Sequence, residues 1–200
     1  MNSIDKLSEI FARFPGIGPR QAKRFVYFLL SKNGDYSSEV VKAIESLKKE
    51  IVQCESCMRF FVGNGHKKQA CSVCSDESRD ASMLMLVPRD IDFEAVEKSG
   101  SYKGLYFILG GVVPILEKEP EKRIRLKELE SRIKKNKNLK EIILAMNANL
   151  DGENTAEFIK QKFKDLPATF STLGRGLSTG SELEYADPET LKNAFLHRTK

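Results

Sequence analysis

The sequence is poor in the residues that mark several protein classes: it has no tryptophan, 8% aromatic residues and only four cysteines among 200 residues. Four cysteines are too few for a scaffold held by disulfides, and a chain of this length can bury a core without them. A formal charge of +5, from 33 basic and 28 acidic residues, does not by itself indicate a nucleic-acid partner. With 40% apolar and 30% charged residues, the composition excludes a disordered chain.

Long hydrophobic runs are also missing. The longest candidate, Leu105 to Leu116, has 12 residues and is interrupted by two glycines and a proline, whereas a membrane-spanning helix needs about 18 apolar residues. Asp5 and Glu9 stand where a signal peptide would need an apolar run. The sequence therefore predicts a cytoplasmic protein with reduced thiols and no membrane contact.

The apolar pattern predicts an α+β multidomain chain in four parts. Residues 1–52 have helical periodicity, 53–80 lose it, 81–166 alternate strands with helices, and 167–200 form a C-terminal strand and helix segment. Such alternation is typical of a parallel sheet covered by helices. The predicted strands are 83–87, 105–109, 141–146 and 168–173, and the predicted helices beyond residue 80 are 90–98, 122–135, 154–164 and 188–197.

All four cysteines fall in the second part, with the spacing Cys54-x2-Cys57-x13-Cys71-x2-Cys74. Two Cys-x2-Cys pairs can aim four thiolates at one tetrahedral zinc ion, and four protein ligands leave no open position for catalysis. We therefore predict one structural Zn²⁺ per chain, with two disulfides or four free thiols as the alternative. His66, in the insert, could be a spare ligand, but it is better interpreted as a loop histidine.

The segment Phe14 to Arg20 joins two short amphipathic helices through Gly16 and Gly18. Glycines permit close approach of another backbone, and the start of the second helix offers amides to an anion such as a DNA phosphate. Arg20, Lys23 and Arg24 share the polar face of that helix, and residues 1–32 hold six basic against two acidic residues. The pattern favours sequence-independent DNA binding, and its alternative is an ordinary helix–helix turn with a basic solvated face.

An acidic loop, residues 147–153, follows a predicted buried strand. Ligands of α/β sheets gather at the carboxyl ends of strands, and Asp151 with Glu153 could hold a hard cation there. A nuclease would need a third acid on the first predicted strand, 83–87. That strand has none, and Asp90 is the nearest acid. We therefore predict no catalysis and no Mg²⁺ site, with Asn154 as the cap of the following helix and the acids in a structural or partner-docking role.

The ordered set of parts resembles the RecR family of bacterial recombination mediators over essentially all 200 residues. Phe14–Arg20 with Ala22 and Arg24 is similar to the family's helix-hairpin-helix, and the tail carries its most specific signature. The matching segments of its Toprim domain and tail are Pro88–Asp90, Tyr102–Tyr106, Leu109–Gly111, Asn147, Gly152–Glu153, Thr155–Ala156, Arg175–Leu177, Gly180, Leu183–Asp187 and Thr190–Leu191.

The resemblance implies a helix-hairpin-helix domain at 1–52, a zinc module at 53–80, a Toprim domain at 81–166 and an oligomerisation segment at 167–200. It implies a non-enzymatic mediator that acts with RecO, and in many bacteria with RecF, to help RecA replace single-strand-binding protein on DNA at gaps. Subunits of the family pair into dimers and close into a tetrameric ring around DNA. Arg20 and Arg24 match the family's basic sites, Lys23 is an addition of this sequence, and Asp151 with Glu153 match the acids that dock RecO.

The chain departs from the family at several positions. Leu86 stands where Toprim domains usually carry a glutamate, which argues against the competing hypothesis of a Mg²⁺-dependent nuclease or topoisomerase-like enzyme; a zinc-containing transcription factor is a third, weaker hypothesis. Phe107 replaces a usual histidine, and Ser178 and Ser181 replace a proline and a glycine. A charged stretch, Lys118–Lys140, with ten basic residues and four glutamates, replaces a Gly/Pro-rich segment and is predicted to be a solvated helix face.

Overall fold

The computed structural model describes residues 1–63, 70–180 and 182–198. The chain divides into two compact units, one of residues 1–51 with 62–63, and one of residues 52–61 with the described residues from 70 onward. The finer division into four parts stays a prediction.

The first unit consists of three helices, α1 (Ser3–Phe11), α2 (Pro19–Ser31) and α3 (Gly34–Glu50). Asn2 caps α1, because its side-chain oxygen accepts a hydrogen bond from the Asp5 amide at 2.9 Å. Ala22 and Val26 of α2 are the buried residues of this unit. After α3 come two short paired strands, β1 (Ile51–Gln53) and β2 (Phe60–Val62).

The second unit is built on a four-stranded sheet of β3 (Asp80–Val87), β4 (Gly104–Ile108), β5 (Glu141–Leu144) and β6 (Thr169–Thr172). The strand order is β4-β3-β5-β6, and every pair is parallel. The predicted parallel sheet is therefore confirmed. Because β4 and β5 flank β3 on opposite sides, the chain changes direction across the sheet next to β3, where ligands of such folds bind.

Four helices accompany this sheet: α4 (Asp90–Ser99), α5 (Leu126–Lys135), α6 (Leu150–Lys162) and α7 (Pro188–Leu196). The prediction of one helix over 122–135 was wrong at its start, because a separate 3-10 turn at Pro120–Lys122 precedes α5. Helix α6 begins four residues before the predicted 154. Within the described residues, no helix combines the length and apolarity that crossing a membrane requires.

Alternation along β3 sends side chains to two separate cores. Leu84 and Leu86 join the core built with α5 and α6, whereas Met85 and Val87 join the core that contains Phe93 of α4. Three of the cysteines, Cys54, Cys57 and Cys71, belong to this second core. The cysteine module is therefore packed against one face of the sheet.

Candidate functional site

In the hairpin between α1 and α2 the two glycines have different conformations. Gly16 lies in the left-handed region, with φ +76°, and the Ile17 amide closes a turn onto the Phe14 carbonyl at 3.0 Å. Gly18 is the extended N-cap of α2, followed by Pro19 at the first helical position. A Cβ placed on Gly18 would meet no atom within 4 Å, so the space in front of the helix start is open.

The predicted basic residues lie on the exposed face of the helix that starts at this opening. Arg20, Lys23 and Arg24 are all exposed on α2, whereas Ala22 and Val26 of the same helix are buried. Gly18 offers no side chain to cap the helix, so the first-turn amides are left for water or a ligand. Exposed cations beside free amides form a surface suited to phosphate groups.

The four cysteine sulfurs converge on one point, all within 4.8 Å of one another. The Sγ atoms of Cys57 and Cys71 are 3.6 Å apart, close to the roughly 3.8 Å edge of a tetrahedron with metal–sulfur bonds of about 2.3 Å. All four are free thiols, and three are fully buried. The predicted cluster is therefore assembled, and its donor set fits a metal ion.

The electrostatics of the cluster favour a bound cation over four ionised thiols alone. Hydrogen bonds from the thiols of Cys57, Cys71 and Cys74 lower the pKa of Cys54, while the same interaction raises the pKa of Cys57, and burial raises it further. One thiolate therefore opposes ionisation of its neighbours. A bound divalent cation would reduce this opposition, because it would offset part of the negative charge of the four thiolates.

Backbone contacts fix the first cysteine pair to the sheet. The Ile108 amide of β4 donates to the Cys57 carbonyl at 2.8 Å, and Arg125 Nη1 donates to the Met58 carbonyl at 2.9 Å. Met58 has φ +64°, the only positive φ of a non-glycine among the described residues. Arg125 and Met58 were missed by sequence reasoning, since nothing in their spacing links residues 67 positions apart. His66 lies outside the described residues.

The two acids of the predicted acidic loop lie in the first turn of a helix. Asp151 and Glu153 belong to α6, whose N-cap is Asn149: its side-chain oxygen accepts from the Gly152 amide at 2.8 Å. The prediction of Asn154 as the cap was therefore wrong. The Asn154 side chain instead donates to the Val113 carbonyl at 3.0 Å, which ties the loop after β4 to α6.

The acids do not gather into a cation site. Glu153 forms an ion pair with Arg175 of the C-terminal segment, Nη1 to Oε1 2.7 Å. Leu86 is fully buried, and Asp90 accepts a hydrogen bond from the Phe60 amide at 2.8 Å. Over residues 1–63, 70–180 and 182–198, the cysteines are the one group of three or more potential ligands close enough to share a metal.

Comparison with known proteins agrees with this architecture. A Toprim domain model matches residues 82–173, and a model described as RecR, C-terminal, matches residues 176–199. Recombination protein RecR of Staphylococcus saprophyticus is 38% identical over 197 residues, covering 98% of this chain and 96% of its own length.

The chain belongs to the RecR family. Recombination protein RecR of Rickettsia bellii, at 37% identity over 97% of this chain and 94% of its own length, agrees with that assignment. The RecR resemblance inferred from the order of motifs is thereby confirmed. The Toprim match begins in β3 and ends just after β6, and the RecR C-terminal match contains α7.

Proposed function

We propose that the protein is a DNA-binding recombination mediator that works without catalytic turnover. The observation that carries the proposal is similarity over nearly the whole chain to proteins named Recombination protein RecR. The four-part organisation, with divisions at residues 52, 80 and 166, belongs to the same proposal, as does a cytoplasmic location, where chromosomal DNA is found.

DNA binding is assigned to the hairpin. Arg20, Lys23 and Arg24 are exposed on α2, the space at Gly18 is open, and no side chain caps the start of this helix. These groups contact phosphates and not base edges, so binding is independent of sequence. That property separates the proposal from a zinc-containing transcription factor.

The arrangement of the acids is consistent with a protein that has no catalytic turnover. Toprim nuclease chemistry needs carboxylates that share Mg²⁺. Here Glu153 is paired with Arg175, and Leu86 of β3 stands where Toprim domains usually carry a glutamate. A half-exposed acid beside a guanidinium is better suited to exchanging one cationic partner for another. We assign Asp151 and Glu153 to docking RecO, with RecF as a further partner.

The metal is assigned as one structural Zn²⁺ per chain. Four thiolates are the donor set of closed zinc sites, and they are buried in a core shared with β3 and β4. Cys54, Cys57, Cys71 and Cys74 would hold the ion and fasten residues 53–80 to the sheet. This zinc would stabilise the fold and contribute no reactive group.

A RecA-loading assay on single-stranded DNA coated with single-strand-binding protein tests the function. The chain with its cognate RecO should accelerate loading, and Arg20→Ala with Arg24→Ala should remove the acceleration. Lys42→Ala with Lys48→Ala, exposed cations on α3, is the matched control and should retain it. Wild-type protein that never stimulates loading would contradict the proposal.

The nuclease alternative has its own test. Labelled DNA incubated with the protein and Mg²⁺ should stay intact. Cleavage that Asp151→Ala abolishes would replace the mediator with a Toprim enzyme.

A further inference from the structure

The charged stretch Lys118–Lys140 is two different surfaces in the structure. In its first half, three of the four cations have partners: Lys122 pairs with Glu119, Arg123 pairs with Glu117, and Arg125 donates to backbone carbonyls. Residues 126–140 hold six basic residues against Glu128 and Glu130, and the ion pairs of the described residues include none of these six. The excess charge is therefore concentrated at the end of α5 and just beyond it.

We propose that Lys134, Lys135, Lys137 and Lys140, here called the lysine surface, form a second binding surface for the phosphate backbone of DNA. All four side chains are exposed. The inference extends the proposed DNA binding from the hairpin to the sheet-bearing unit, and it rests on that proposed function.

A fixed scaffold presents these lysines. Leu129 and Ile133 bury the opposite face of α5, and the Asn136 side chain donates to the Ala81 carbonyl at 2.7 Å. The Lys140 amide donates to the Ser82 carbonyl at 2.8 Å. The turn after α5 is thereby fastened to the start of β3, so that holding the cations in place costs less entropy on binding.

Helix stabilisation accounts for only part of the cluster. Lys134 and Lys135 lie in the last turn of α5, where cations interact favourably with the helix dipole. Lys137 and Lys140 lie beyond the helix, so the dipole does not explain them. They border an open hollow of about 650 Å³ at the amino ends of the strands.

One acid also borders this hollow. The Asp80 carboxylate accepts from the Ser82 amide at 2.8 Å, and hydrogen bonds from Ser82 lower its pKa, with a smaller contribution from Lys140. Asp80 therefore offsets part of the Lys140 charge. Lys134, Lys135 and Lys137 are left as the cations to test.

The chemistry of the surface selects nucleic acid over other polyanions. Across residues 117–149, all of them described, no large apolar side chain is exposed. Protein partners usually need a buried apolar or aromatic anchor, and binding to a membrane surface needs an apolar face to insert. A phosphate backbone needs only charge and hydrogen-bond donors, and lysines meet this need without reading bases.

The test measures the affinity of the full-length protein for labelled duplex DNA by fluorescence anisotropy, from about 50 to 200 mM salt. Lys134→Gln, Lys135→Gln and Lys137→Gln together should weaken binding, equally for two unrelated sequences. The slope of log affinity against log salt should become shallower by about 1 for each lysine that contacts a phosphate. The matched control, Lys98→Gln, Lys118→Gln and Lys164→Gln, removes three exposed charges scattered over the same unit and should keep the wild-type slope.

Three results would overturn the lysine surface: a triple variant with the wild-type slope, a control that loses as much as the triple variant, or polyglutamate that competes as well as DNA of equal charge. Arg20→Ala with Arg24→Ala is measured in parallel. If that variant binds normally while the triple variant has a shallower slope, the hairpin assignment fails and the lysine surface stands. Circular dichroism checks folding, and Lys137→Gln alone, outside α5, replaces the triple variant if the helix is damaged.

Discussion

Two glycines of the hairpin, Gly16 and Gly18, are needed for different reasons. Gly16 has φ +76°, which an L-residue adopts at a cost of about 1–2 kcal/mol. Gly18 has an ordinary extended conformation and open space around its missing Cβ. The first glycine therefore serves the fold, whereas the second leaves room for whatever approaches α2.

Substitutions at these two positions should separate stability from binding. Gly16→Ala should lower the free energy of unfolding by about 1–2 kcal/mol, because alanine is strained at this φ. Gly18→Ser should not destabilise, because serine is a favoured N-cap, yet its side chain should obstruct phosphate and weaken DNA binding. Urea unfolding and anisotropy measure the two effects; a Gly18→Ser protein with wild-type affinity would exclude a phosphate at this helix start.

Thr155 is fully buried, and its hydroxyl joins two parts of the second unit. Its Oγ1 accepts from the Val113 amide at 2.8 Å and donates to the Asp151 carbonyl at 2.6 Å. Thr155→Val keeps the shape but leaves that amide unpaired, so the free energy of unfolding should fall by about 1–3 kcal/mol. Thr155→Ser keeps the hydroxyl and should lose less in urea unfolding. A Thr155→Val protein as stable as the wild type, or a larger loss for Thr155→Ser than for Thr155→Val, would contradict the importance of this hydrogen bond.

Helix α6 shows where sequence reasoning reached its limit. Its existence followed from the alternation of strands and helices, but its start depended on which asparagine capped it. Asn149 and Asn154 are both good caps by residue type. The choice falls on Asn149 because Asn154 is held by the Val113 carbonyl, 41 residues away, a tertiary contact that local pattern does not contain.

The candidate sites show the same difference between features set by local sequence and features set by tertiary contacts. The cysteine spacing predicted a converging cluster, and Gly16 and Gly18 predicted the hairpin, because both patterns encode local geometry. The pairing of Glu153 with Arg175 and the support of Met58 by Arg125 join residues distant in the chain. Their partners are chosen by packing, so no spacing rule could have found them.

Metal removal should destabilise the sheet-bearing unit as well as the cysteine segment. The Cys57 carbonyl accepts from β4, and the buried cysteines share a core with Met85 and Tyr106. Chelation, or Cys57→Ser, should therefore lower the melting temperature and expose this core to a hydrophobic dye. Elemental analysis should find one zinc per chain, and lowering the pH should release it, because thiolate ligands must stay deprotonated.

The zinc assignment would be contradicted if wild-type protein purified without chelator contained no metal and if chelator treatment left its melting temperature unchanged. Ser56→Ala, between the two cysteines of the first pair, is the matched control. It should leave metal content and melting unchanged.

Under the proposed function, assembly would explain how a chain of net charge +5 holds DNA. Each chain offers a few exposed cations. In a symmetric oligomer these cations would be repeated, and many weak phosphate contacts would together give high avidity for DNA. Under the proposed function, the first unit would offer a surface for such pairing. Its three helices leave an apolar groove of about 420 Å³, with Leu30 and Ile44 on its rim, 62% and 55% exposed.

A groove of this kind should be covered by a second copy of the chain, since large exposed apolar patches usually mark interfaces. Leu30→Glu with Ile44→Glu should therefore shift the mass measured by light scattering toward the monomer and make the salt dependence of DNA binding shallower, because fewer phosphates are contacted per assembly. Ile91→Glu, on α4 and 66% exposed, removes an apolar side chain outside the groove and should keep the oligomer. Wild-type protein that is monomeric at every concentration and salt would exclude a ring, and an unchanged mass in the double variant would place the interface elsewhere.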